Sequence, residues 1–199
     1  MPITYSNKGF SLIEVLVTIV ILMIGLLGLA GLQGRALTLQ MESYQRAQAL
    51  VLLQDMTDRI NSNRKNAAAY INNNPLGTLG GNITGCNASG VCATTAQNDL
   101  FAWQTALQGS SETLSGNKVG AMIGARGCVY QIAAPASGVA TDYSVVVAWQ
   151  GINNTAAPDV SLAYSAGKCG QGDYKDKDGI VKESLHRVVS QPLSVGYLQ

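Results

Sequence analysis

Lys8-Gly9-Phe10-Ser11-Leu12-Ile13-Glu14 sets a carboxylate at the very start of an apolar run, and the next charge after it is Arg35. Val15 through Gly34 are twenty uncharged residues. At about 1.5 Å per residue, a helix of that length spans about 30 Å, the hydrocarbon thickness of a bilayer. Glu14 therefore stands at one edge of a membrane-spanning segment, where an unpaired charge costs up to about 2.5–3.5 kcal/mol. A chain that keeps such a residue needs something to pair with it.

The residues K-G-F-S-L-I-E resemble the class III signal and N-terminal signature of the type IV pilins and of the pseudopilins of type II secretion. The resemblance implies that a prepilin peptidase cuts after Gly9 and methylates the new N-terminal residue, Phe10. Glu14 then becomes the fifth residue of the mature chain, the family's one acidic residue in its apolar segment. Physical chemistry supports the placement. Cleavage creates an α-amine with a reference pKa near 8, mostly cationic at neutral pH. In a filament that amine can meet Glu14 of a neighbouring helix, and two unit charges about 4 Å apart are worth about 4 kcal/mol at an effective dielectric of 20, before desolvation is subtracted. An uncleaved leader would carry the amine elsewhere, so processing is expected to convert a membrane-stored subunit into an assembly-competent one.

An ordinary secretory signal is the rival reading, with Gly28-Leu29-Ala30 as a small-x-small site. Its apolar core would run only 7–15 residues after a basic stretch. Here the run is longer, Glu14 interrupts it, and Lys8 is the sole basic side chain before it. Lys8 on one flank is matched by Arg35 on the other, so charge counting does not orient the segment. A cytoplasmic N-terminus rests on the resemblance. Gly25, Gly28, Gly31 and Gly34 recur every third residue and each weakens a water-exposed helix by about 1 kcal/mol relative to alanine. They also permit close helix packing in a membrane.

Beyond Gly34 charged residues intersperse apolar ones, and Ala49, Leu53, Met56 and Ile60 fall on one helical face. The spacing predicts a single stem helix from about Phe10 to Asn61 or Asn63, its second half burying an apolar face against a head. Residues 61–96 read as a loop, with Asn72-Asn73-Asn74-Pro75 and Gly80-Gly81 as turn formers and a short helical piece at Asn66–Ile71. A second helix is predicted at Ala96–Leu107, with Asn98 or Asp99 near its start, Trp103 facing inward and Gly109 ending it. Val119–Ile123, Cys128–Ala133, Tyr143–Trp149 and Leu185–Val189 read as strands separated by glycine-containing turns. The fold class is α+β: a three- or four-stranded antiparallel sheet on a stem helix. The continuous apolarity of Val145-Val146-Val147 suits a central strand, or equally a buried edge. The organisation expected is a leader at 1–9, a membrane and filament-core half of the stem at 10–34, an amphipathic half at 35–63 and a head at 64–199.

Thirteen basic against twelve acidic residues give a net charge of +1, and nothing in that balance points to nucleic acid. Cys86, Cys92, Cys128 and Cys169 form an even set in a chain whose head is expected on the oxidising side of a membrane. Three pairings are open. Cys86–Cys92 with Cys128–Cys169 is favoured, since the first closes a small loop and the second ties the sheet to the glycine-rich 167–172 segment. The chain-entropy estimate is about 4 kcal/mol for the long closure and about 2.5 for the short one. Zinc would need a tighter C-x2–4-C spacing and more histidine than the single His186. Asp173-Tyr-Lys-Asp-Lys-Asp178-Gly179 resembles part of a calcium loop, but its alignment puts Tyr174 first and Leu185 where a bidentate acid belongs, so an acidic–basic surface turn is the better reading. His186 has no nucleophile in view and reads as a surface or edge-strand residue; H-E-x-x-H and G-x-S-x-G are absent. Sequons at Asn82, Asn87 and Asn153 carry little weight if the source is a bacterium.

Trp103-Gln-Thr-Ala-Leu107, Gly124-Ala-Arg-Gly-Cys128, Cys169-Gly and Leu185-His-Arg-Val-Val189 look like the corresponding stretches of minor pilins in the type IV pilus modification group. The resemblance implies a structural subunit and not an enzyme, without cofactor or metal. Its partners would be the prepilin peptidase, other minor pilins, the major pilin and the inner-membrane assembly platform. It would rest in the inner membrane of a Gram-negative cell as a single-pass protein with a periplasmic head, then enter the surface pilus and affect adhesion and motility. A type II secretion pseudopilin is the nearest alternative. A secreted or anchored binding module is the alternative of another class.

Overall fold

Without proline to break it, the stem forms one α-helix, α1, of 51 residues from Leu12 to Ser62. The Ser11 carbonyl starts it by accepting the N–H groups of Glu14 and Val15 at 3.0 and 3.3 Å. The computed structural model describes residues 9–72, 74–77, 83–87, 89–109, 113–114, 117–118, 122–132, 140–161 and 164–196. The leader up to Lys8, the turn residues Asn73, Gly80 and Gly81, the sequon at Asn82, Val119–Ala121 and Ala133 lie outside the described residues. The chain divides into two compact units, one ending at Met41 and one running from Glu42 to Gln199. In the first, the apolar side chains from Phe10 to Met41 are exposed.

In the second unit the stem buries Ala49, Leu53, Met56 and Ile60, the face that the spacing predicts. A 3₁₀ helix follows at Arg64–Tyr70, two residues earlier than the expected helical piece. α2 spans Thr95–Leu107 and is started by a reciprocal capping box: the Thr94 hydroxyl accepts the Gln97 N–H, and the Gln97 side chain accepts the Thr94 N–H. Trp103 is fully buried and its indole N–H donates to the Leu52 carbonyl at 2.8 Å, fixing α2 on the stem.

Two short strands, β1 (Thr113–Leu114) and β2 (Asn117–Lys118), pair antiparallel. β3 (Arg126–Gln131), β4 (Thr141–Gln150) and β5 (His186–Val195) form an antiparallel sheet in the order β3-β4-β5. β4 is central, and both of its faces are buried. Val145, Val147 and Trp149 join the stem and α2 in the main core, while Val146 and Ala148 join Cys128, Cys169, Tyr174 and Leu185 in a second one. That two-sided burial is why its sequence is continuously apolar instead of alternating.

The outer edge of β3 is closed by the preceding loop. Leu76 and Gly127 exchange backbone hydrogen bonds at 2.8 and 3.0 Å, and the Asn72 side chain accepts the Val129 N–H at 2.6 Å. Two strand expectations are corrected. Of the expected Val119–Ile123 strand, the described Met122 and Ile123 are not in a strand, because they enter the turn at Gly124 (φ 60°) that aims β3. The last strand extends from Val189 to Val195 through Ser190, Gln191, Pro192 and Ser194. An edge position tolerates polar residues and proline, since the ladder to β4 needs only the backbone on one side.

Candidate processing and assembly site

Gly9 and Phe10 precede the helix in exposed, non-helical backbone, the form a peptidase needs in order to thread a scissile bond. Glu14 lies two residues into α1, in its first turn, where the positive end of the helix dipole favours a carboxylate. The three residues that the motif singles out therefore sit together at one end of an exposed apolar helix. α1 is the one helix among the described residues long and apolar enough to cross a membrane.

On the head, the structure joins Cys86 to Cys92 and Cys128 to Cys169, with Cα separations of 4.0 and 5.8 Å. The short closure holds a loop in which the Asn87 side-chain oxygen accepts the Ser89 and Val91 N–H groups. The long one anchors the 165–185 segment onto β3, inside the second core. The acidic–basic turn forms around Asp176. One carboxylate oxygen accepts the Asp178 and Ile180 N–H groups at 2.9 and 3.0 Å, and the other pairs with Lys182 at 3.1 Å. Those contacts, the Ile180 amide first, hold its carboxyl below the usual aspartate range. Asp173 pairs with Arg126 at 2.7 Å. Among the described residues no group of three or more His, Cys, Asp or Glu gathers to hold a metal.

Two arrangements escape a reading of the sequence. Glu42 accepts the Asn153 N–H at 3.0 Å and lies 3.8 Å from the Arg187 guanidinium, which also donates to the Asn153 and Ser184 carbonyls. Nothing in the sequence links residues so far apart. His186, expected at the surface or on an edge strand, does begin the edge strand β5 but is buried, with Nδ1 3.0 Å from Glu183 and Nε2 2.9 Å from the Cys169 carbonyl. The disulfide brings Cys169 to it, and the 3₁₀ turn Glu183–Leu185 brings the acid.

Comparison with protein families agrees with this geometry. Residues 5–30 match the prokaryotic N-terminal methylation motif, and residues 31–101 match type IV pilin Tt1218. The two matches support a type IV pilin-like family for the chain. No curated protein and no solved structure matches it. The two family matches meet within α1 and run on to Phe101, so they cover the stem and the first half of α2. The pilin family is structural, and no enzymatic family is indicated. The methylation motif implies processing by prepilin peptidase and assembly with other pilins, and the apolar helix that follows fits a membrane-anchored pilin.

Proposed function

We propose that this pilin is a minor pilin of the type IV pilus, related to the pilus modification protein PilV, that takes part in starting or modulating pilus assembly and through it adhesion and motility. The observation that carries the reading is the exposed apolar helix with Gly9 and Phe10 just outside it and Glu14 in its first turn, attached to a head closed by two disulfides. Prepilin peptidase cuts between Gly9 and Phe10 and methylates the new amine. Residues 10–34 cross the inner membrane and later enter the filament core, 35–63 carry the head, and 64–199 form it in the periplasm of a Gram-negative cell. Glu14 registers the incoming subunit by pairing with an N-terminal amine, and the assembly platform, the major pilin and the other minor pilins are its partners. The stretches 103–107, 124–128 and 185–189 that resemble minor pilins lie in α2, the turn into β3 and the start of β5.

A deletion strain tests the proposal. Loss of surface pili with protein secretion intact is expected, with restoration by the gene in trans. Normal piliation together with a secretion defect would instead assign the chain to the pseudopilins.

A further inference from the structure

The chain leaving β4 at Gly151 and the hairpin around Asp176 line an open groove of about 380 Å³ on the head. Ile123, Ile152 and Leu185 supply its apolar surface, and Lys175, Lys177 and Lys182 its positive charge. Ile123 and Ile152 are 47% and 41% exposed, although the head has two apolar cores in which isoleucine could be buried. Hydrogen bonds hold the groove in shape. The Gln150 side chain donates to the Lys175 carbonyl at 2.8 Å, tying the hairpin to the end of β4. The Gly151 N–H donates to the Leu185 carbonyl at 2.7 Å, and the Ser184 hydroxyl donates to the Asn154 side-chain oxygen at 2.9 Å. A partner would therefore meet a surface that is already formed, which lowers the cost of binding.

The groups left open decide what that partner presents. Asp176 is the one carboxylate among the described residues that line the groove, and it is committed: one oxygen accepts two backbone amides and the other pairs with Lys182 at 3.1 Å. Lys177 pairs with its neighbour Asp178 at 2.9 Å, an exposed contact of little strength. The Lys175 ammonium and the Asn154 side-chain N–H groups have no partner among the described residues. Three cations against one committed acid make the groove complementary to an anion. Covering Ile123 and Ile152 requires that the anion also carry aliphatic surface. Among the described residues that line the groove none is aromatic, so a nucleobase has no platform on which to stack. An apolar centre with a charged rim is the anatomy of a protein interface.

We infer that this groove is a docking site for a segment of a partner protein that presents an aspartate or glutamate beside an aliphatic side chain. The carboxylate meets the Lys175 ammonium and the Asn154 amide, the two donors left open, and the aliphatic side chain covers Ile123 and Ile152. Lys177 and Lys182 add positive charge around the contact and favour acidic partners over basic ones.

A photo-crosslinking amino acid in place of Lys177, whose side chain is 87% exposed, tests the assignment in cells that make the full chain. The expected product joins position 177 to a protein segment in which mass spectrometry finds an acid next to leucine, isoleucine or valine. Lys175→Glu should lower its yield by about ten-fold, Lys175→Arg should preserve it, and changing the partner's acid to lysine should restore it in the Lys175→Glu chain. Because the Lys175 ammonium has no partner among the described residues, Lys175→Glu should melt at the wild-type temperature, which separates lost docking from lost folding. No crosslink, a crosslink to lipid or glycan, one to a segment without an acid, or a yield indifferent to Lys175→Glu would each overturn the inference. Normal piliation of the deletion strain would refute the proposed function and leave the crosslink unaffected, so the two can fail separately.

Discussion

At the scale of single residues, Glu14 and Gly127 show how one position can be set by very different demands. A helix dipole alone stabilises a first-turn carboxylate by about 0.3–1 kcal/mol, too little to account for a charge at the edge of a bilayer-length apolar run. We propose that pairing with an N-terminal amine supplies the rest. Glu14→Ala should therefore be cleaved and inserted like the wild type yet be depleted in sheared pili, by about ten-fold if a net 1.4 kcal/mol of the pairing survives desolvation. Normal incorporation of the variant would remove the pairing argument. Gly127 answers to packing. A Cβ there would come within 2.5 Å of Trp103 and 2.6 Å of Leu107, in the seam where β3 meets α2. Gly127→Ala should destabilise the head by about 1–3 kcal/mol, visible as a lower melting temperature of the purified protein. An unchanged melt would mean that the seam relaxes freely.

At the scale of elements, the hairpin around Asp176 depends on a carboxylate held below its usual range by the Ile180 and Asp178 amides and Lys182. A group with a depressed folded-state pKa contributes stability above its unfolded value and loses it as pH falls through the folded one. Exchange protection of the Ile180 amide should therefore persist below about pH 4, the usual aspartate range, and disappear in stronger acid. Asp176→Asn should abolish that acid transition; an identical transition in the variant would place its cause elsewhere. Periodicity made the stem and α2 legible in the sequence, because Ala49, Leu53, Met56 and Ile60 and then Leu100, Trp103 and Leu107 must each share a face. Continuous apolarity made β4 legible for the same reason. The second half of β5 was not legible, since Ser190, Gln191, Pro192 and Ser194 carry no strand signal and are held by backbone pairing to β4. Thr94 and Gln97 did carry a signal, the T-x-x-Q spacing of a capping box. His186 gave none, because its burial is created by a disulfide and a turn that are distant from it in the chain.

At the scale of the whole molecule, the residues up to Met41 form one compact unit and those from Glu42 the other, a division that suits a subunit whose apolar stem has a different destination from its head. The family matches cover the stem and reach Phe101, and the three-stranded sheet and the Cys128–Cys169 closure lie beyond them. The stem's proposed role could be read from the sequence because its chemistry is local: the proposed cleavage and methylation positions and the acid all fall between Gly9 and Glu14. Head surfaces such as the Glu42–Asn153–Arg187 network arise only on folding. The central claim is that the chain is processed as a pilin, and mass spectrometry of its native N-terminus, in cells with and without prepilin peptidase, tests it most directly. A mature chain beginning at N-methylated Phe10 only when the peptidase is present is the predicted result. A start at Gly31, or an intact leader in cells with active peptidase, would contradict it.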